Sequence, residues 1–289
     1  MNQVCGIINT YCPDDGVAAN IEVLRPQVAY LIVVDNGSPT GLPSLREACS
    51  RFGCILLENE ENRGITVGLA RGIRYAQTLP VDFVVLFDQD STADPQMVTA
   101  MLESYSASST TKKVGIVSPT HTHKTTGKRM HCMLDGDGGP LTVILSGSMV
   151  PMHVFRECGT YEESMIMDRF DEDFSLRVRH YGYTIILSAA ILWVVLGSPQ
   201  PFRFLGKTVF YSSNYSPARH YYMCRNRIVV IKRYWRDQPV WCLRSMSGFC
   251  KETFAMLVAE RGRYEKMKCI VHGIWDGFIG RMGLQVSLS

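Results

Sequence analysis

Two aspartates set one residue apart follow a buried-strand pattern at residues 84–92, which read VVLFDQDST. Side chains two apart in an extended segment point the same way, so the carboxylates of Asp88 and Asp90 face one site. Mg²⁺ and Mn²⁺ prefer oxygen ligands and are commonly held by one or two carboxylates together with substrate phosphates. The pair therefore indicates a metal–diphosphate site. The structural alternative is a polar turn capped by Asp90 or Ser91.

A second acidic cluster lies in MDRFDEDFSLRVRHYGY, residues 167–183. Its four carboxylates include Asp171 and Asp173, and the spacing predicts the start of a helix. Acidic residues in a first helical turn are stabilised by the helix dipole, and Arg177 or Arg179 supplies ion-pair partners. The functional interpretation is a general base beside the metal site. Metal and base together suit transfer of a group from a diphosphate to a hydroxyl.

Alternating β-rich and helical patterns must position these carboxylates. The alternation predicts a mostly parallel sheet covered by helices on both faces. The predicted strands are Val4 to Asn9, Ala29 to Asp35, Cys54 to Glu58, Val81 to Asp88 and Val114 to Pro119. The predicted helices lie near Val17 to Leu24, Pro43 to Phe52, Thr66 to Thr78 and Pro95 to Tyr105.

Ligands of such sheets bind beyond the carboxyl ends of the strands. Polar groups follow three of the predicted strands: Thr10 and Tyr11, then Asp35 to Ser38, then Asp88 to Ser91. We expect all three groups to lie along one edge of the sheet.

Residues 121–140 are polar and glycine-rich, and we expect a solvated loop or irregular hairpin there. The three histidines at 121, 123 and 131 lack the carboxylate or cysteine spacing of a metal site. The longest apolar run, about Tyr183 to Gly197, is shorter than the roughly 20 residues of a membrane helix and predicts buried core.

Charge is unevenly distributed along the chain. From Arg219 onward there are 13 Lys and Arg against 5 Asp and Glu, whereas the first 218 residues have 17 against 22. A nucleic-acid partner would need a recognisable reading element, and none is present, so no nucleic-acid partner is expected. Aromatic and basic side chains on amphipathic helices suit an anionic membrane instead, with a solvated face or a self-associating surface as alternatives. The side chains meant are Tyr222, Trp235, Trp241, Phe254, Lys232, Arg233, Arg244 and Lys251.

The motifs together resemble the family-2 inverting glycosyltransferases, and within them the bacterial rhamnosyltransferases. The resemblance covers nearly the whole chain, and FDQDS together with YYxxRN favours the rhamnosyltransferase branch. The motifs, in order, are T-Y-x-P (10–13), VVDNGS (33–38), NRGI (62–65), LFDQDS (86–91), LSGSM (145–149), DRFDEDFSLR (168–177), GY (182–183), RHYYMCRN (219–226) and GIWDGFIGRMG (273–283).

This resemblance implies a GT-A (Rossmann-like) α/β fold, a nucleotide-sugar donor, here dTDP-L-rhamnose, and a divalent cation, Mg²⁺ or Mn²⁺. It places Asp35 at the nucleobase with Thr10 and Arg63 nearby. It places Asp88 at the ribose and Asp90 at the metal that holds the diphosphate.

The resemblance also implies that Asp171 is the catalytic base, which deprotonates a hydroxyl of a saccharide or lipid-linked acceptor. Asp173 and Arg177 are expected to support it, and Ser148 to line the acceptor side. Arg225 is expected to approach the diphosphate or the acceptor. The activity implied is that of an inverting hexosyltransferase of polysaccharide and cell-envelope biosynthesis.

The chain departs from the family pattern at Val194, where the family usually has a histidine near the metal. Because a branched aliphatic side chain cannot ligate a metal, this change weakens metal use or activity or requires a substitute. A transferase of another nucleotide sugar and a catalytically silent nucleotide-sugar-binding subunit remain alternatives.

We expect a GT-A catalytic domain over residues 1–218 and a basic helical C-terminal region over residues 219–289, near the acceptor or membrane or in a homo-oligomer contact. Scattered cysteines without regular spacing and an N-terminus without a basic leader favour a cytoplasmic protein, with peripheral contact at the inner face of the membrane.

Overall fold

The computed structural model describes residues 2–124, 126–130, 132–136, 138–194, 200–204 and 207–286. By internal contacts the chain divides into two compact units. Unit 1 comprises Met1–Glu163 and Asp171–Val195, and unit 2 comprises Ser164–Phe170 and Leu196–Ser289. The predicted boundary between a catalytic domain and a C-terminal region at residue 219 stays a prediction. The two units defined by contacts instead meet at residues 163/164, 170/171 and 195/196.

The described part of the chain contains strands β1 to β10 and helices α1 to α9. The strands are β1 Val4–Thr10, β2 Tyr30–Asp35, β3 Ile55–Glu58, β4 Phe83–Asp88, β5 Thr92–Ala93, β6 Val114–His123, β7 Met149–Pro151, β8 Thr184–Val194, β9 Gln200–Phe204 and β10 Lys207–Ser212. The helices are α1 Gly16–Leu24, α2 Leu42–Phe52, α3 Ile65–Ala76, α4 Met97–Ser109, α5 Met152–Cys158, α6 Phe170–His180, α7 Pro217–Tyr234, α8 Pro239–Ala259 and α9 Arg263–Ile279.

Unit 1 is built on a mixed eight-stranded sheet in the order β3-β2-β1-β4-β7-β6-β8-β5. Strands β3, β2, β1 and β4 run parallel, as predicted from their alternation with α1, α2 and α3. Strand β7 pairs antiparallel with both β4 and β6 and joins the two halves of the sheet. This short antiparallel strand was not predicted.

Helices cover both faces of the parallel half, as expected from its fully buried first strand. Ile8 and Val33 belong to the core that α1, α2 and α4 share. The neighbouring residues Ile7 and Val34 point to the other face of the sheet, where they contact α3. A Cβ on Gly72 of α3 would lie 2.8 Å from Ile7 and 3.1 Å from Val34. The absence of a side chain at Gly72 therefore lets α3 lie directly on the sheet.

Strand β6 extends further than predicted, because its last residues pair in parallel with β8. His121 lies opposite Leu192 and His123 opposite Val194. Both histidines therefore stand on a strand, and the loop predicted to begin at residue 121 starts later. His131 lies outside the described residues.

Unit 2 contains the helices predicted for the C-terminal region. In it α7 packs against α8 and more extensively against α9, and β9 and β10 pair antiparallel. Close approach of α9 to α7 depends on two glycines: a Cβ on Gly273 would lie 2.4 Å from the carbonyl oxygen of Tyr221, and one on Gly277 2.7 Å from that of Arg225. Among the described residues, no helix combines the length and apolar character needed to cross a bilayer.

We expect Gly273→Ala to lower the free energy of unfolding by about 1–3 kcal/mol, because the new methyl group meets a backbone carbonyl that cannot rotate away. Gly248→Ala in α8 is the matched control, since a Cβ there has nothing within 4 Å and alanine favours a helix by about 1 kcal/mol. Urea unfolding of the two variants measures the difference. Equal stability of the two would contradict the packing of α9 on α7.

Candidate functional site

The polar residues that end β1, β2 and β4 lie along one edge of the sheet, as predicted. Thr10 is the register partner of Asp35, and Asn9 is the partner of Asp88. Asp35 is fully buried, whereas Asp88 is half-buried and Asp90 exposed. This edge is the predicted position of the nucleotide site.

Asp35 holds together the turn that follows β2. The Ser38 backbone N–H donates to its Oδ2 at 2.8 Å, the Ser38 hydroxyl donates to its Oδ1 at 2.5 Å, and the Thr10 hydroxyl donates to the same oxygen at 3.3 Å. The carboxylate therefore fixes the shape of the loop in this structure. Direct contact of Asp35 with a nucleobase stays a prediction.

The loop that carries Arg63 is tied to the same turn. Asn36 Nδ2 donates to Asn62 Oδ1 at 2.9 Å and to the Gly64 carbonyl at 2.9 Å. Gly37 has a φ of 72°, and a Cβ there would lie 2.4 Å from the backbone of Glu61. These contacts hold the two loops together, so the exposed Arg63 lies at the same edge of the sheet as Asp35.

Asp88 ends β4, and Gln89 and Asp90 form a turn rather than an extension of the strand, so alternation along a strand does not orient the two carboxylates. Gln89 anchors the turn: its side chain accepts from the Tyr11 backbone N–H at 2.9 Å, and its carbonyl accepts from Asn20 Nδ2 at 2.7 Å. Asp90 keeps its carboxylate in solvent, where a cation can reach it.

Ser146 connects this turn to β6. Its Oγ accepts from the Asp88 backbone N–H at 3.1 Å and donates to Ser91 Oγ at 2.9 Å, while its carbonyl lies 2.7 Å from His121 Nε2. A carbonyl only accepts, so His121 carries its proton on Nε2. Burial lowers the pKa of His121, and the hydrogen bond to Ser146 opposes part of that change. This contact between His121 and Ser146 was not predicted from the sequence.

We expect Ser146→Ala to weaken binding of a nucleotide-sugar donor, because the turn bearing Asp88 and Asp90 loses two hydrogen bonds. Ser104→Ala is the matched control: it too loses a serine–serine hydrogen bond of 2.9 Å, to Ser188. Each variant should lower the free energy of unfolding by about 1–3 kcal/mol. Calorimetry with donor and thermal unfolding separate the effects, and equal donor affinity in both variants would contradict the role of Ser146.

Asp171 lines a cavity of 440 Å³ within unit 1, formed by β6, the segment 129–144 and the first turn of α6. His121, Arg129, Thr142 and Glu172 are among the other polar residues that line it. Burial, and to a lesser extent the charge of Asp171, raises the pKa of the Tyr161 phenol. A carboxylate in a cavity of this size has room to meet an acceptor hydroxyl.

Asp173 and Arg177 hold α6 in place, and their support of a catalytic base stays a prediction. Asp173 is fully buried and accepts from Arg177 Nη2 at 3.1 Å. Arg177 Nη1 donates to the carbonyls of Cys158 and Thr160 at 3.0 and 2.9 Å, which ties α6 to the end of α5. Ser148 is buried, and its hydroxyl donates to the Ile144 carbonyl at 2.7 Å, so it stabilises the LSGSM turn and does not line the cavity.

Arg225 differs from the expectation that it approaches the diphosphate or the acceptor. It is fully buried in unit 2, and its guanidinium donates to the carbonyls of Gly283, Ser164 and Met165 at 2.5, 3.0 and 3.1 Å. These bonds use the donors that a phosphate would need. Arg225 therefore has a structural role in unit 2.

Asn226 fixes the same short segment, which leads directly into α6. Its Nδ2 lies within 2.9 Å of the carbonyls of Met165, Met167 and Asp168. Ile166, Asp168 and Arg169 have positive φ angles of 69°, 56° and 63°, which is strained for residues with side chains. The RHYYMCRN motif thus holds a strained stretch of chain just before Asp171.

The residues present fit a cation that is shared with a diphosphate. Among the residues described, no three His, Cys, Asp or Glu side chains are grouped to hold a metal ion alone. Mg²⁺ and Mn²⁺ are commonly bound through one or two carboxylates with substrate phosphates and water, and the exposed carboxylate of Asp90 suits this mode. Val194 is buried at the end of β8 and supplies no ligand.

Comparison with known proteins matches residues 13–131 to the family described as Glycosyl transferase family 2. The matched range contains Asp35, Arg63, Asp88 and Asp90, whereas Asp171 lies beyond it. The dTDP-rhamnosyl transferase RfbF of Shigella flexneri is 25% identical over 296 residues, which cover 98% of this chain and 97% of that protein.

Solved structures share the fold at 11% identity. A crystal structure of GalNAc-T7 with UDP, GalNAc and Mn²⁺ aligns over 96% of this chain with a TM-score of 0.61, and this chain spans 57% of that protein. A crystal structure of S. aureus TarS 1–349 aligns over 96% of this chain and 72% of its own length with a TM-score of 0.51. The GT-A-like fold predicted from the sequence is confirmed, and residues 13–131 match glycosyl transferase family 2.

Proposed function

We propose that this chain transfers L-rhamnose from dTDP-L-rhamnose to a hydroxyl of a saccharide or lipid-linked acceptor, with inversion at the anomeric carbon. The observation that carries the proposal is the position of Asp171 in a cavity of 440 Å³. The likeness to a dTDP-rhamnosyl transferase over nearly the full length of both proteins supports the choice of donor.

The donor is proposed to bind along the edge formed by the ends of β1, β2 and β4. Asp35 and Arg63 belong to two loops that are locked together, and they would frame the nucleobase. Asp88 would meet the ribose. The exposed carboxylate of Asp90 would bind a Mg²⁺ or Mn²⁺ ion, which neutralises charge on the diphosphate when bound.

In the proposed reaction the carboxylate of Asp171 accepts the proton of the acceptor hydroxyl. The oxygen forms a bond to the anomeric carbon as the bond from that carbon to the diphosphate breaks, and dTDP leaves with the electron pair. Attack opposite to the leaving group inverts the configuration. Asp173 and Arg177 hold α6 so that the base keeps its place.

Transfer from another nucleotide sugar, such as a hexose or galactofuranose donor, is the enzymatic alternative. A catalytically silent nucleotide-sugar-binding subunit is the second, and Val194 is the observation that favours it. The two differ in one respect: a silent subunit binds donor without turnover under any divalent cation.

Release of nucleoside diphosphate from dTDP-, UDP- and GDP-sugars, with Mg²⁺, Mn²⁺ or EDTA, tests the proposal. Donor binding is measured on the same samples. Cation-dependent release of dTDP from dTDP-rhamnose is the expected result. Preferred release of UDP or GDP would overturn the choice of donor, and the absence of binding to every donor would overturn the nucleotide-sugar function.

A further inference from the structure

Large apolar side chains are exposed mainly in unit 2. Of the 16 that are exposed among the described residues, 11 belong to it. Folded proteins rarely leave such groups clustered in water unless the surface contacts a partner or a membrane. The 11 are Trp235, Val240, Leu243, Phe254, Leu257, Tyr264, Val271, Trp275, Phe278, Ile279 and Leu284.

Helix α9 arranges part of this set on one face. Its glycines 273 and 277 lie against α7. At about 100° per residue, Tyr264, Lys268, Val271, Trp275 and Phe278 fall within an arc of about 80° on the opposite side of the helix. We call these five residues the outer face of α9. The packing of α9 on α7 therefore dictates that this face meets solvent.

The outer face combines three aromatic residues with one aliphatic and one basic residue. Tyr264, Trp275 and Phe278 are 77%, 63% and 58% exposed. Tryptophan and tyrosine are enriched where membranes meet water, and a helix with an apolar aromatic face and flanking basic residues is typical of helices that lie in that interface.

Charge distinguishes a lipid surface from a second copy of the chain. In the described side chains of unit 2, nine basic residues are exposed against three acidic ones. Two copies would bring like charges together, whereas an anionic bilayer attracts each basic residue near its surface. The basic residues are Lys232, Arg233, Arg236, Arg244, Lys251, Arg261, Arg263, Lys268 and Arg281, and the acidic ones are Asp237, Glu252 and Glu265.

We propose that the outer face of α9 docks the protein on an anionic lipid bilayer. The sequence predicted peripheral membrane contact through other residues, and two of the aromatic residues it named, Tyr222 and Trp241, are buried. The docking face is therefore different from the one predicted. If the proposed function holds, docking keeps the enzyme at a surface where lipid-linked acceptors lie, but the docking itself does not depend on activity.

Co-sedimentation of the full chain with vesicles of phosphatidylcholine, with and without phosphatidylglycerol, tests the proposal. We expect binding that requires phosphatidylglycerol, weakens as NaCl is raised, and shifts tryptophan emission to the blue. Trp275→Ser combined with Phe278→Ser should weaken binding roughly tenfold or more, because two large aromatic groups no longer leave water. Lys268→Glu should also weaken it.

Tyr181→Ser is the matched control, since Tyr181 is 50% exposed but lies in unit 1. It should leave vesicle binding unchanged, and thermal unfolding verifies that every variant is folded. Binding that is equal for both lipid compositions, or unaffected by the double substitution, would overturn the proposal. So would a dimer in sedimentation equilibrium that the double substitution dissociates, because a second copy would then occupy the outer face.

Discussion

Replacing Asp171 by asparagine is expected to lower the turnover number by about 10²–10⁴ while leaving donor affinity nearly unchanged. Loss of a positioned general base has an effect of this size, which corresponds to about 3–5 kcal/mol in the activation free energy. The amide keeps the shape of the side chain but cannot take the proton of the acceptor hydroxyl. Steady-state kinetics with dTDP-rhamnose and donor calorimetry measure the two quantities.

Glu172→Gln is the informative control, because Glu172 follows Asp171 in the same helical turn and lines the same cavity. We expect its effect on turnover to be far smaller. A large loss of turnover in Glu172→Gln, together with an active Asp171→Asn, would show that Glu172 and not Asp171 is the base. Weakened donor binding in Asp171→Asn would place that residue on the donor side of the reaction.

Replacing Asp90 by alanine is expected to abolish cation-dependent turnover, with a loss of at least about 10²-fold. Among the described residues the chain offers no group of three ligands that holds a cation unaided. In the proposed function, Asp90 is the carboxylate that recruits the cation and the diphosphate. The measurement is the rate against Mn²⁺ concentration.

Asp82→Asn serves as the control, since Asp82 is exposed just before β4, at the opposite end of the strand that leads to Asp88. Its side chain accepts from the Gln3 backbone N–H at 2.8 Å, so a small loss of stability is its main expected effect. If Asp90→Ala kept the wild-type response to Mn²⁺, the cation would be held elsewhere.

The parallel half of the sheet could be predicted because local signals agree with one another there. Each of β1 to β4 is a short apolar run that ends in a polar turn, and α1 to α3 have apolar stripes between them. Parallel strands place their carboxyl ends at one edge, which made the alignment of Thr10, Asp35 and Asp88 predictable from strand order alone. The register confirms that alignment.

The rest of the site depends on contacts between distant residues, which local pattern does not encode. Ser146 meets Asp88 and His121 across β6 and β7, and β7 itself contributes only three residues. Arg225 belongs to a motif that suggests phosphate binding, yet its guanidinium is occupied by carbonyls of segments 58 to 61 residues away. A sequence pattern identifies the arginine but not its partners.

The C-terminal helices show the same limit. Basic and aromatic composition favours a membrane-facing surface, but composition does not say which side of each helix packs inward. Gly273 and Gly277 supply that information, because their closeness to α7 orients α9. The two glycines, four residues apart in the sequence, would have predicted that the opposite, aromatic face of α9 is exposed.

Transfer of labelled rhamnose from dTDP-rhamnose to an acceptor directly tests catalysis by Asp171. Wild-type protein and Asp171→Asn are each incubated with Mn²⁺, labelled donor and a mixture of saccharide and lipid-linked acceptors, and label is then counted in the acceptor fraction. We expect label in the acceptor with the wild type and almost none with Asp171→Asn, although both bind donor. Equal labelling by the two proteins, or no labelling by a wild-type protein that binds dTDP-rhamnose, would contradict it.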